Sequence, residues 1–233
     1  MERMRTSAQV QFTFTPLFNL PSNIFCVTFH NVRSLHNHIQ DVKHDHNLTS
    51  SQVLALAESR LQQTDHNDAF HLPSYNITRC DAESLSGRPH HGLVTYVKDH
   101  LHATPITSYS TTSFESMSMW LHEVNVALYI CYKKPSTPLS ALQFHFTTAI
   151  LDHLSDSRFI IVGDFNLPVG TTQYETFSSW LAAKVPCSQL VSGATTDHGS
   201  CLDLVYSNIP NINVTVLESA WSDHKPISVQ LHT

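Results

Sequence analysis

Basic residues are few: 13 Lys and Arg stand against 19 Asp and Glu, a net charge of −6 with neutral histidine. That balance excludes a strongly basic nucleic-acid footprint, and no Lys/Arg cluster forms an import signal. Charged residues reach only 14% in all, well below the usual quarter. The five cysteines (Cys26, Cys80, Cys131, Cys187, Cys201) are odd in number and contain no Cys-x-x-Cys pair. This argues against a disulfide framework and for the reduced thiols of an intracellular protein. Cys26 and Cys131 lie in apolar runs, where the thiol acts as a small hydrophobe. No apolar stretch approaches the ~20 residues of a membrane span, so no membrane partner is expected. Met1 to Leu20 lacks the unbroken apolar core and cleavage site of a signal peptide. No repeat, low-complexity tract or linker divides the chain, and nothing points to oligomerisation. One domain over residues 23–233, after an extension at 1–22, is the expectation.

Histidine, by contrast, is plentiful at 17 residues. Several cluster (His36/His38, His44/His46, His90/His91, His100/His102), so the chain gains positive charge as pH falls through about 6.5. Those His-x-His pairs lack the frame of a zinc site. A hydrophobic content of 41% supports a core. Short apolar runs at Ile24–Phe29, Val53–Ala57, 92–97, 116–123, 126–132, 159–162, 202–206, 214–217 and 227–231 read as strands, most of them buried on both faces, with a shorter candidate at 75–78. Ser34 looks like a helix N-cap before Leu35, Ile39 and Val42, which share one helical face. A second helix is predicted from Pro138 to Leu154 with Thr137 as its cap, and a third over 171–183. A turn falls near Asn125, and residues 60–90 are looser. Strand–helix–strand succession at the start predicts a parallel pair with polar groups at one sheet end.

The most informative stretch is Phe159-Ile160-Ile161-Val162-Gly163-Asp164-Phe165-Asn166. A buried strand that stops at glycine and then offers a carboxylate and a carboxamide places both at a strand's carboxyl end, where open α/β sheets build sites. In extended chain Asp164 and Asn166 point the same way. They suit a water, a metal or a phosphate; a solvated turn with an Asx cap is the competing reading. Asn31 ends the first strand, Glu58 ends the second, and Trp221-Ser222-Asp223-His224-Lys225-Pro226-Ile227 lies near the C-terminus.

This ordered set (Asn31, Glu58, Gly163-Asp164-Phe165-Asn166, Ser222-Asp223-His224) resembles the endonuclease/exonuclease/phosphatase superfamily over residues 24–231. The resemblance implies a four-layer α/β sandwich of two packed mixed β-sheets flanked by helices. It also implies Mg²⁺-dependent phosphodiester hydrolysis, with Mn²⁺ as an alternative ion. A bound cation would supply the local positive charge that the composition lacks. By the same resemblance Glu58 is the leading metal ligand, with Asp223 and Asn31 near the ion. Asp164 and Asn166 position and deprotonate the attacking water. His224, oriented by Asp203, carries positive charge beside the scissile phosphate. Tyr132 hydrogen-bonds a phosphate oxygen, although a packed strand tyrosine explains it equally well; Asn31 donates to the phosphate or helps hold the metal site, with an Asx turn before Ser34 as its plausible alternative. Lys133 and Arg33 are substrate-binding candidates.

Arg33 stands where many repair enzymes of that family carry an acidic residue. Asn31-Val32-Arg33-Ser34-Leu35, Leu56-Ala57-Glu58-Ser59-Arg60-Leu61 and Leu202-Asp203-Leu204-Val205 look like segments of retrotransposon endonucleases. They tilt the expectation to a DNA-nicking enzyme of mobile-element type, acting in the nucleus within a larger element-encoded polyprotein. The alternatives are a phosphatase or phosphodiesterase of the same fold acting on a phosphoinositide or nucleotide, which the acidic charge favours, and a catalytically dead relic or binding module.

Overall fold

The apolar runs pair into two six-stranded sheets in the computed structural model, which describes residues 23–82, 91–154 and 157–233. The expected extension at 1–22 lies outside the described residues. One sheet takes the order β11-β12-β1-β2-β4-β3, where β1 is Ile24–Asn31, β2 Val53–Ala57, β3 Tyr75–Cys80, β4 Leu93–Lys98, β11 Asn213–Val216 and β12 Ile227–His232. The other takes β5-β6-β7-β8-β10-β9, where β5 is Ala103–Ser110, β6 Phe114–Leu121, β7 Val126–Lys133, β8 Phe159–Asp164, β9 Ser188–Gln189 and β10 Asp203–Ser207. β1 runs parallel to β2 and β7 parallel to β8, while the other pairs are antiparallel. Both sheets are therefore mixed.

Period-two alternation sorts each strand's residues between layers. Phe25, Val27, Phe29, Ala55, Leu128, Ile130, Val162 and Val205 meet in one core cluster between the sheets. The intervening Leu54 and Leu56 pack under α1 (Leu35–His44) with Val42. Tyr129, Cys131 and Ile161 lie under α3 (Leu139–Ala149) and α4 (Thr172–Lys184). Helix, sheet, sheet, helix is the four-layer sandwich expected. Ser34 caps α1 as foreseen, after which a single helical turn, α2 (His46–Thr49), leads to β2. Gly163 is required where β7 and β8 approach, because a Cβ there would lie 2.0 Å from the Cys131 carbonyl oxygen.

Several expectations need correction. Thr137 does not cap α3: the N-cap is Pro138 with no side-chain bond, and the Thr137 hydroxyl donates to the Ser113 carbonyl instead. That helix stops at Ala149 and continues only as a 3₁₀ turn over Leu151–His153. The strand placed at 116–123 is Phe114–Leu121. β5 escaped notice because it contains Pro105 and mostly polar residues; it is an edge strand with a bulge at Pro105/Thr107, where proline is tolerated.

Candidate active site

The phase of each strand decides which polar groups arrive together. Asn31, Tyr132, Asp164 and Asp203 continue the same alternation as the residues facing the inter-sheet core. They emerge where that core ends, with Asp203 in register with Asp164 and Tyr132 in register with Asp164 on its other side. Glu58 follows β2 in the opposite phase, behind Leu54 and Leu56. It is turned by a left-handed backbone (φ 50°). Among the described residues, four of the seven non-glycine residues with positive φ, Arg33, Glu58, Arg60 and Asn166, lie at these strand ends. Each such conformation costs on the order of 1–3 kcal/mol and recurs at functional sites.

Asn31 is the hub. Its Nδ2 donates to Glu58 Oε1 at 3.0 Å and to Asp164 Oδ2 at 2.9 Å, joining the two sheets. Asn31 Oδ1 accepts from the Arg33 backbone N–H at 3.1 Å, so the Asx turn is present as well. The Ser222 hydroxyl donates to the Asn31 carbonyl at 2.9 Å. His224 Nδ1 lies 2.9 Å from Asp203 Oδ2. Asp164, Asp203 and His224 are all buried and offer ligand atoms within 4.8 Å of one another.

These neighbours set the protonation states. Burial, and next the charge of Asp203, push the Asp164 carboxyl well above the usual carboxylate range, against the opposing His224 and the Asn31 hydrogen bond. For His224 burial works downward, but the hydrogen bond and charge of Asp203, followed by Asp164 and Asp223, outweigh it and raise the pKa to about 9. The shift favours the charged imidazolium at His224, beside Asp203. Burial first, then Glu58 and Asp164, push the Tyr132 hydroxyl upward, so it stays a neutral donor.

Two expected geometries change. Strand β8 ends at Asp164, and Asn166 (φ 46°) leaves the extended conformation. Its backbone N–H donates to Asp164 Oδ1 at 3.0 Å and its Nδ2 to the Lys133 carbonyl at 2.9 Å. The shared-face arrangement therefore gives way to one in which Asn166 holds Asp164. Lys133 is not placed to meet substrate: it is 1% exposed and its ammonium is wrapped by the carbonyls of Lys134, Pro135 and Asn166. It falls in the strand phase opposite to Tyr132. Asp223 pairs with Arg33. Glu58 Oε2 accepts from Arg60 at 2.9 Å.

Sequence reasoning quoted Ser222 within its motif without giving it a role, and missed Arg60 and His30. Fully buried His30 lies with Nε2 3.0 Å from the His224 carbonyl. Its pKa is lowered to about 3, chiefly by burial, so it is the neutral ring that holds the His224 backbone. The only available signal was adjacency to the motif residues.

The donor set fits a divalent cation. Oδ1 of Asp203 and Oδ1 of Asp223 are buried with no hydrogen-bond partner, and Glu58 and Asp164 bring further carboxylate oxygens. Hard cations take such oxygen ligands.

A sequence profile of the Endonuclease/Exonuclease/phosphatase family matches residues 28–224. Comparison with curated protein sequences gives no match. Among solved structures, the chain is similar to the endonuclease domain of TRAS1, a telomere-specific non-LTR retrotransposon, with TM-score 0.65 and 12% identity over 90% of this chain and 98% of that one. It is also similar to the AP endonuclease LMAP from Leishmania major, with TM-score 0.66 and 13% identity over 92% and 90%. The human Nocturnin catalytic domain follows with TM-score 0.63 and 13% identity over 91% and 94%.

Proposed function

The chain belongs to the endonuclease/exonuclease/phosphatase family, and from that premise we propose that it is a Mg²⁺-dependent endonuclease that nicks DNA. The observation that carries this reading is the convergence, where the two sheets end, of Asn31 bonded to Glu58 and Asp164 with the hydrogen-bonded Asp203–His224 pair, Asp164, Asp203 and His224 offering ligand atoms within 4.8 Å of one another. Phosphodiester hydrolysis needs an activated water, positive charge at the phosphoryl oxygens and help for the leaving oxygen. Asp164, the carboxylate whose proton affinity is raised, takes the proton of the attacking water. The Asn31 amide and the Asn166 backbone N–H each hold one of its two oxygens. His224 presents its charge to the phosphoryl group through the ring nitrogen not held by Asp203. Tyr132 donates to a phosphoryl oxygen. Glu58, with Asp223 and Asn31 beside it, would hold a Mg²⁺ ion, which would supply Lewis-acid charge there. Arg33 and Arg60, which flank those carboxylates, meet the neighbouring backbone phosphates.

Support for a mobile-element origin comes from the motif segments and from a fold shared with the TRAS1 domain over nearly its whole length. That reading would place the activity in the nucleus, within a larger element-encoded polyprotein. A second reading, a smaller phosphoester as substrate, is favoured by the net charge of −6.

The test is relaxation of supercoiled plasmid with Mg²⁺ and with EDTA, for the wild type beside Asp164→Asn and His224→Ala. Nicking that needs the ion and collapses in both variants supports the proposal. A folded wild type that leaves plasmid intact but hydrolyses a nucleotide or inositol phosphoester replaces it with the second reading.

A further inference from the structure

Opposite the Asp203–His224 pair, the site holds a second buried imidazole–carboxylate pair that the reaction above does not use. Glu115, on β6, is fully buried. One of its oxygens lies 3.0 Å from His91 Nδ1 and the other accepts the Gly92 backbone N–H at 2.8 Å. His91 lays its ring on the Tyr132 ring, with centroids 5.5 Å apart and planes 25° apart. Glu115 is also the residue in register with Tyr132 across the β6–β7 ladder. The same short segment grips the turn that carries Glu58. The carbonyls of Gly92 and His91 accept the backbone N–H groups of Ser59 and Arg60 at 3.0 and 2.8 Å. Close fit enforces this grip: a Cβ on Gly92 would lie 2.6 Å from the Ser59 hydroxyl.

A buried carboxylate is costly unless donors meet it, and surface-facing or apolar residues at 91 and 115 would build the same sandwich. Here one carboxylate reaches from one sheet to fix a ring and a backbone segment on the other. Resting on the proposed hydrolase reading, we propose that Glu115 and His91 are positioning residues. Glu115 locks the His91 imidazole as a plate against Tyr132, which aims the Tyr132 hydroxyl at the substrate phosphate, and it secures the 58–60 turn through Gly92. Neither residue touches substrate.

The test combines kinetics with a spectroscopic readout on the full chain. His91→Ala, Glu115→Gln and Tyr132→Phe are compared singly, and His91→Ala is repeated in the Tyr132→Phe background. Glu115→Gln keeps the volume and one acceptor, so folding is preserved if the alanine variant proves unstable. Near-attack geometry lost by about 1 Å costs about 10²-fold, so each single variant is expected to lose ten- to a hundredfold in kcat with little change in KM. In the double variant the loss should stay within about twofold of Tyr132→Phe alone, because residues acting through one another are not additive. In parallel, NMR of tyrosine-labelled protein follows the Tyr132 ring resonance, assigned by its disappearance in Tyr132→Phe. It should shift in both His91→Ala and Glu115→Gln. Unchanged kcat in folded His91→Ala and Glu115→Gln, full additivity in the double variant, or an unmoved Tyr132 resonance each overturns the proposal. Should the wild type hydrolyse no phosphoester, the functional reading fails by itself, and the resonance still decides whether the pair sets the ring.

Discussion

Replacing Asp164 by asparagine is expected to abolish activity and, unusually for an active-site change, to stabilise the fold. The carboxylate is 1% exposed and faces Asp203. Relieving that burial and like-charge repulsion gains stability in proportion to the raised pKa, about 1.4 kcal/mol per pH unit. Against this, an asparagine keeps the acceptor for the Asn166 N–H but turns one amide toward Asn31 Nδ2, and a mismatched buried donor costs about 1–3 kcal/mol. A net gain of about 1 kcal/mol at pH 8 is expected, equivalent to ~2–4 °C in Tm for a chain of this size. The sign in pH follows from the raised folded pKa. The neutral acid is favoured in the fold, so the wild type's stability from this group is present below its unfolded value of 3.8 and lost as pH rises toward 8. The advantage of asparagine should therefore grow from pH 5 to pH 8 and vanish or reverse near pH 4. Thermal melts in EDTA read this directly, since a bound cation would stabilise the wild type selectively. A variant less stable than wild type at every pH, or a difference independent of pH, would refute the electrostatic account of Asp164.

Four further outcomes follow from the site and the sheet. Protonated His224 should support turnover below about 9 and lose it as pH rises through that value. Asp203→Asn removes the hydrogen-bonding charge and should move this alkaline limb of the pH–rate profile downward by at least one pH unit, about 1.4 kcal/mol. By the same sign, the stability that His224 contributes is complete below 6.5 and lost as pH rises through about 9 in urea titrations. Glu58→Gln should raise the Mg²⁺ concentration for half-maximal nicking by about tenfold or more while leaving Tm in EDTA nearly unchanged. Gly163→Ala would drive a methyl into the Cys131 carbonyl and should cost about 3 kcal/mol in urea unfolding.

Much of the site was readable because its members sit at the ends of apolar strands, and strand phase is local information. Asn31, Asp164 and Asp203 fall in the core-facing phase of β1, β8 and β10, so counting by twos from Val27, Val162 and Val205 leads to them. What the sequence hides is where extended chain stops. Asn166 leaves the strand in a left-handed conformation, and Glu58 is reversed by the same device. Lys133 reads as a solvated strand end, yet its ammonium is enclosed by carbonyls, one of them from Asn166 33 residues away. The partnership of Glu115 with His91 spans two sheets and 24 positions, which no short window covers. Edge strand β5 was invisible for the opposite reason: half-exposed and interrupted by proline, it carries little apolar signal.

The bond from Asn31 to both Glu58 and Asp164 crosses from one sheet to the other. The spacing between proposed metal ligand and proposed base is therefore a reading of the distance between two sheets, taken at the far end of their shared core. Phe29, Ile130 and Val162 act as the stops of a caliper whose jaws are the reacting groups. A methylene added deep among them would register in that spacing. Tolerance of sequence change among chains of this architecture, down to 12% identity, thus has a mechanical limit: side chains in the shared core can be exchanged freely only while the gap they hold open stays the same width.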